Sequence, residues 1–130
     1  MSSYIFTSES VTKGHPDKVY DLVSDSILDA YLGKDPAAHV AVETVAKNNT
    51  VIVAGEVSSI ARVDAEAVIR RTIREIGYNR PEYGFNADTA EIILRLDRQS
   101  PDIAQGVNDA LETRNSDETA EIGAGDQGMM

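Results

Sequence analysis

Two β-branched runs separated by a pair of asparagines constrain the fold more than any other feature of this chain. The runs are residues 39–46 and 50–59. Valine and isoleucine favour strands, and Asn48–Asn49 suits the positive backbone φ angles of a tight hairpin turn. If these two asparagines form the loop, Glu43 faces Ala54. The sequence therefore predicts an antiparallel hairpin in that register.

The same register assigns Glu43 and Glu56 to one face of the hairpin, because side chains two positions apart share a face. Their Cβ atoms are diagonal neighbours, about 7–8 Å apart at most. One interpretation is two exposed carboxylates at the rim of a half-solvated sheet. The other is a pair that holds cations or an amine, since an unpaired buried carboxylate is costly. Gly55, beside Glu56, lets a ligand or another backbone come close.

The sequence predicts one helix before the hairpin in the chain and one after it. The first spans Pro16–Leu32, since proline is favoured at the first helical position and Gly33 can end the helix. The second spans Ala65–Ile76, with Asp64 as its N-terminal cap and Gly77 as its stop.

Short strands at Tyr4–Thr7 and Thr89–Arg98 complete the predicted order β-α-β-β-α-β. This order predicts an α+β fold in which two helices pack on one face of a mainly antiparallel sheet.

The start of the first helix is the strongest candidate site. His15 and Asp17 flank Pro16, where free backbone N–H groups and the positive end of the helix dipole point outward. Such a place can receive phosphate, and Asp17 could hold a hard cation that phosphate brings along. The alternative is that His15 is a plain helix cap or surface residue. His39 shows no partner in the pattern and is interpreted as structural.

Composition excludes several functional classes. The formal net charge of the 130-residue chain is −10, which argues against binding to nucleic acid or to anionic membranes. Cysteine is absent, so disulfides and thiolate metal sites are excluded. The sequence shows neither a signal-peptide pattern nor an apolar run of membrane-spanning length, and we expect a cytosolic protein.

The pattern weakens after Gln99. Residues 100–122 are acidic and polar, and a long connection of this kind is usually functional or disordered. Residues 123–128 match G-x-G-x-x-G, but no strand, helix or later acid accompanies them, so we reject a dinucleotide site. A loop that brings Asp126 to a small ligand and a plain turn are equally compatible with the composition.

The motifs taken together resemble the S-adenosylmethionine synthetase (methionine adenosyltransferase) family. They run through nearly the whole chain in the family's order, and several are long and specific. The segments that carry the resemblance are Phe6–Val11, Gly14–Lys18, Ser24–Asp25, Asp35–Pro36, Glu43–Thr44, Gly55–Glu56, Arg74–Tyr78, Gln99–Val107 and Gly123–Met129.

The resemblance implies an enzyme that joins the sulfur of L-methionine to the 5′ carbon of ATP. The released tripolyphosphate is then cleaved to phosphate and diphosphate. By this match His15 is the catalytic residue and contacts ATP near the reacting carbon and the departing polyphosphate. Asp17 binds Mg²⁺, with Glu9 as a possible helper.

The resemblance assigns the remaining site residues to methionine and to a second cation. Glu43 belongs to a K⁺ site, and Glu56 and Gln99 hold methionine. Asp126 lines the same pocket. We therefore expect His15, Asp17 and the two hairpin glutamates to converge on one half of a pocket for nucleotide and amino acid.

The resemblance also implies a domain plan. Family members are about three times as long, with three similar α+β domains, and work as dimers or dimers of dimers with active sites between facing subunits. Residues 1–99 correspond to the first domain, 100–122 to a mobile lid and 123–130 to the start of the central domain. The family's later residues that grip the triphosphate lie beyond this chain, so we expect the chain alone to be inactive.

Three positions depart from the family pattern. The family commonly has an acid at Lys13, glutamine at Leu22 and often cysteine at Val42. None of these is a proposed ligand contact, but they alter the local electrostatics near the magnesium.

Two other functions remain open from the sequence. One is a non-catalytic interaction or regulatory module built on the same domain, which the missing phosphate-binding residues favour. The other is a different metal-dependent phosphate enzyme that uses His15 and Asp17, although no cationic clamp for it is visible.

Overall fold

The computed structural model describes residues 3–98, which form two α-helices and a three-stranded sheet. The elements are α1 (Pro16–Leu32), β1 (His39–Lys47), β2 (Thr50–Ser58), α2 (Ala65–Ile76), a 3₁₀ turn (Pro81–Tyr83) and β3 (Glu91–Asp97). The strand order is β1-β2-β3, and β1 and β2 are antiparallel. The predicted α+β class is confirmed.

Both helices begin and end where the local signals predict. Pro16 is the first residue of α1. At the other end, the Gly33 amide donates to the carbonyl oxygen of Asp29, and the Lys34 amide donates to that of Tyr31. Asp64 caps α2 through a hydrogen bond from the amide of Ala67. None of the helices within residues 3–98 is long and apolar enough to cross a bilayer.

The hairpin has the predicted register. Glu43 pairs with Ala54 and Lys47 with Thr50, while Asn48 takes the positive φ of 55° that the turn requires. Because side chains alternate along a strand, this register decides which residues face the helices and which face away.

The face toward the helices forms the core. Ser24 on α1 and Thr44 on β1 share a hydrogen bond of 2.9 Å between their hydroxyl oxygens, so this polar pair is satisfied where the helix meets the sheet. The buried core side chains are Val19, Val23, Ile27, Val51, Val53, Val68, Ile69, Ile73, Ile76 and Ala87.

No helix among residues 3–98 packs on the opposite face of the hairpin. Val45 is 56% exposed and Ile52 is 42% exposed, although they are paired across the two strands. We call the surface formed by Ala41, Glu43, Val45, Ile52, Ala54 and Glu56 the open face.

The predicted first strand is wrong for the described residues. Tyr4, Ile5 and Phe6 are 89%, 95% and 79% exposed and lie in no strand. A strand must exchange backbone hydrogen bonds with an edge of a sheet, and residues 4–7 pair with neither edge of the β1-β2-β3 sheet. The aromatic and β-branched composition alone does not create one.

Asp35 ties the loop after α1 to the end of β2. Its side chain accepts hydrogen bonds from the Ser59 hydroxyl (2.6 Å), the Ile60 amide (3.0 Å) and the Ala37 amide (3.1 Å). The Ser59 hydroxyl, followed by the Ile60 amide, lowers the pKa of this carboxyl because both stabilise the ionised form.

The lowered pKa of Asp35 predicts a pH-dependent contribution to stability. The contribution is complete above the ordinary value of 3.8 and is lost as the pH falls below it through the lowered pKa. We expect Asp35→Asn to lower the free energy of unfolding at neutral pH. The difference in this free energy between the variant and wild type should become smaller in acid. Urea unfolding from about pH 7 to about pH 3 measures this, with the exposed Asp21→Asn as control. A difference that stays constant over this range contradicts the prediction.

Gly55 permits the close contact between the two hairpin strands. Its φ is +149°, and an added Cβ would lie 2.0 Å from the carbonyl oxygen of Ala41 on β1. The expectation that a ligand or another backbone approaches this glycine is therefore met by the backbone of the neighbouring strand.

We predict that Gly55→Ala destabilises the chain by about 2–4 kcal/mol, because the new methyl group clashes with β1 and the φ angle is strained. Gly84→Ala is the matched control, since Gly84 has a φ of +69° but no atom within 4 Å of an added Cβ. Chemical unfolding should show a clearly larger loss for Gly55→Ala. Equal losses would mean that the contact with β1 contributes nothing.

Candidate functional site

The start of α1 presents one imidazole and one carboxylate. His15 is the N-terminal cap of the helix, and its Nδ1 accepts a hydrogen bond from the Asp17 amide at 3.3 Å. A neutral imidazole that accepts at Nδ1 carries its proton on Nε2. His15 is therefore a helix cap and also offers a donor at Nε2. A donor at this position, beside the positive end of the helix dipole, suits an anion.

The Asp17 carboxylate is available to a cation. The side chain is 82% exposed, and its Oδ2 lies 3.9 Å from Nδ1 of His15. Glu9, the predicted helper, lies in the exposed segment before the helix and makes no hydrogen bond or ion pair within residues 3–98. The structure thus gives Asp17 a defined place in the first turn, but Glu9, His15 and Asp17 do not form a group that could hold a metal ion within residues 3–98.

Glu43 and Glu56 share the open face, as the predicted register requires. Glu43 is exposed and lies opposite Ala54, whereas Glu56 is half-buried and lies opposite Ala41. Neither carboxylate forms an ion pair with any residue between 3 and 98. Small and apolar neighbours therefore surround two unpaired charges, which suits a cationic or ammonium group from outside this chain.

The helix start and the two glutamates do not converge within one chain. α1 packs on the helix-facing side of β1, where Thr44 contacts Ser24. Glu43, the neighbour of Thr44, projects to the other side. The convergence expected from the sequence is therefore not seen.

The described part of the chain contains no group of three or more histidine, aspartate or glutamate side chains that could hold a metal ion together. Asp17 by itself still suits Mg²⁺, which is commonly bound through one or two carboxylates and otherwise by water and substrate phosphates. Glu43 likewise offers carboxylate oxygen to a hard cation. These residues fit a metal that other ligands help to hold, and they do not form a closed site.

Two cavities flank the ring of Tyr78 near the start of α1. One, of about 300 Å³, is lined by side chains of α1, the hairpin turn and Phe85. The other, of about 370 Å³, is lined by Thr12–Gly14, the end of α2 and Tyr83. None of the predicted site residues lines either cavity, so neither alone is the predicted pocket.

Sequence reasoning included Tyr78 in the family segment Arg74–Tyr78 but missed its contact with the start of α1. Its hydroxyl donates to the carbonyl oxygen of Gly14, the residue before His15, at 2.6 Å. The only local signal is an aromatic residue directly after the helix-ending Gly77. Gln99 and Asp126, together with segments 100–122 and 123–130, lie outside the described residues.

Comparison with known proteins identifies the family. The family model for the S-adenosylmethionine synthetase N-terminal domain matches residues 3–101. A protein of Desulforudis audaxviator named S-adenosylmethionine synthase is 51% identical over 100% of this chain and 33% of its own length. A relative of the same name in Gloeobacter violaceus is 54% identical over 100% of this chain and 32% of its own length. Another, in Clostridium botulinum, is 54% identical over 97% of this chain and 33% of its own length.

The chain thus spans about a third of the length of these relatives and follows their sequence from one end of the described fold to the other. The match covers the capped helix start, the hairpin with its two glutamates and the tyrosine after α2. The chain belongs to the S-adenosylmethionine synthetase family, of which it carries the N-terminal domain.

Proposed function

We propose that this chain supplies the N-terminal part of a methionine adenosyltransferase, which forms S-adenosylmethionine from ATP and L-methionine. The observation that carries the proposal is the family match over residues 3–101, together with a helix start and an open face whose polar groups suit these two substrates. The reaction also releases tripolyphosphate, which the complete enzyme cleaves to phosphate and diphosphate.

The helix start would bind the nucleotide. His15 offers an Nε2 donor near the departing polyphosphate, where a positioned donor stabilises developing negative charge. Asp17 would hold Mg²⁺ on the phosphates, with Glu9 as a further candidate ligand. Magnesium bound by Asp17 would supply positive charge beside the polyphosphate.

The open face would bind methionine and the second cation. Glu56 is half-buried among small residues, so its carboxylate can pair strongly with the ammonium group of methionine. Glu43 would contribute to a K⁺ site. We retain Gln99 and Asp126 as candidate methionine contacts on the strength of the family resemblance.

The opposite orientations of the two groups favour an active site shared between two chains. In such a homodimer, the open face of one chain meets the helix start of its partner at each of two equivalent sites. The exposed Val45 and Ile52 give the open face an apolar centre, which is typical of homodimer interfaces.

Charge explains why we propose that this chain is inactive alone. A net charge of −10 opposes the binding of a polyphosphate. The counter-charge would come from metal ions, from the partner chain and from the two thirds of the relatives that this chain does not span. The cytosolic location is retained as a prediction.

A chimaeric enzyme tests the proposal. This chain replaces the matching N-terminal third of the Clostridium botulinum relative, to which it is 54% identical. We expect S-adenosylmethionine production from the chimaera and none from the isolated chain. His15→Asn should lower kcat by about a hundredfold or more. Glu56→Gln should raise KM for methionine by about tenfold or more.

The matched control is Glu75→Gln, because Glu75 is exposed and lies near the end of α2, outside the proposed site. This control variant should retain the activity of the unmodified chimaera. A folded, dimeric chimaera that makes no S-adenosylmethionine, while the relative itself is active, would contradict the catalytic proposal and favour the non-catalytic module.

A further inference from the structure

We propose that Tyr78 is a positioning residue that orients His15 through the backbone of Gly14. The inference rests on the proposed role of His15 at the nucleotide. The Tyr78 hydroxyl donates to the Gly14 carbonyl oxygen at 2.6 Å, across 64 positions of sequence. This hydrogen bond joins the end of α2 to the residue directly before the α1 cap.

The Gly14 carbonyl lies inside the turn that leads into α1. The His15 amide donates to the Thr12 carbonyl at 3.0 Å, so Thr12 to His15 form one tight turn. An added Cβ on Gly14 would lie 3.3 Å from the Tyr78 hydroxyl oxygen, which means that glycine allows this close approach. Holding the Gly14 carbonyl therefore fixes the direction in which the chain enters His15.

A second donor holds the residue directly before this turn. The Lys18 ammonium donates to the Val11 carbonyl at 2.7 Å. Lys18 belongs to α1 and moves with the helix, whereas Tyr78 belongs to the segment after α2. Tyr78 thus relates the turn to the segment that follows α2.

Tyr78 is itself held at three places. Its amide donates to the Ile73 carbonyl (3.2 Å), in the backbone pattern that ends α2 at Gly77, whose φ is +124°. Its carbonyl accepts from the Ala87 amide at 2.9 Å. Its ring packs edge-on against Phe85, with centroids 5.0 Å apart. A side chain anchored in this way can transmit a fixed geometry to the turn.

Tyr78→Phe in this 130-residue chain isolates the hydroxyl, because it keeps the ring and its packing. We expect the His15 amide to exchange with solvent about tenfold faster, since its turn loses one hydrogen bond. The ¹⁵N shifts of the His15 imidazole should also move, because the bond between Nδ1 and the Asp17 amide loosens. Exchange of the Ile69 and Ile73 amides in the middle of α2 should stay within about twofold of wild type.

Tyr83→Phe is the matched control, since the Tyr83 ring also packs edge-on against Tyr78 and its hydroxyl makes no hydrogen bond in the described part of the chain. It should leave the His15 amide and imidazole unchanged. The proposal is overturned if Tyr78→Phe leaves both His15 readouts at wild-type values, or if both variants change them equally. Neither readout needs nucleotide, so this result is independent of the outcome for the chimaera.

Discussion

The register of the β1–β2 hairpin is the constraint on which the rest of the structure depends. A one-residue shift of β2 would turn Val51 and Val53 from the core to solvent, and a one-residue shift of β1 would bury Glu43. The turn at Asn48 and the close contact at Gly55 hold the register from the turn to beyond the middle of the hairpin. The register of the hairpin therefore decides both which side chains enter the core and on which face the two glutamates lie.

The same alternation separates the polar groups of the proposed active site. The helices cover one face of the sheet, so the imidazole and carboxylate at the start of α1 lie on that side. The glutamates lie on the other. Within residues 3–98 the two groups therefore face opposite sides of the sheet, and the proposed symmetric pair of chains would bring them together at two equivalent sites. This separation is the reason for proposing a site shared between two chains.

Local signals in the sequence predict much of this fold. Residues that cap a helix or form a turn determine the backbone conformation only within a few positions, so the sequence alone reveals them. They are Pro16 and Gly33 for α1, Asp64 and Gly77 for α2, and the two asparagines for the hairpin. Non-local contacts were missed. The Tyr4–Thr7 strand was predicted from composition without a known edge, and the bond from Tyr78 to Gly14 spans 64 positions. Sequence motifs were enough to name the residues of the proposed site. That His15 and the two glutamates face opposite sides of the sheet could be seen only from the packing of α1 on β1.

Subunit complementation between two impaired chimaeras, assayed at a methionine concentration well below KM, tests the shared site most directly. One chimaera carries His15→Asn and the other Glu56→Gln, and the two are co-expressed in equal amounts. If each site takes His15 from one chain and Glu56 from the other, the mixed dimers have one intact site. Random pairing then restores about a quarter of the unmodified activity. Activity no greater than the average of the two variants would show that both residues act within one chain and would contradict the account.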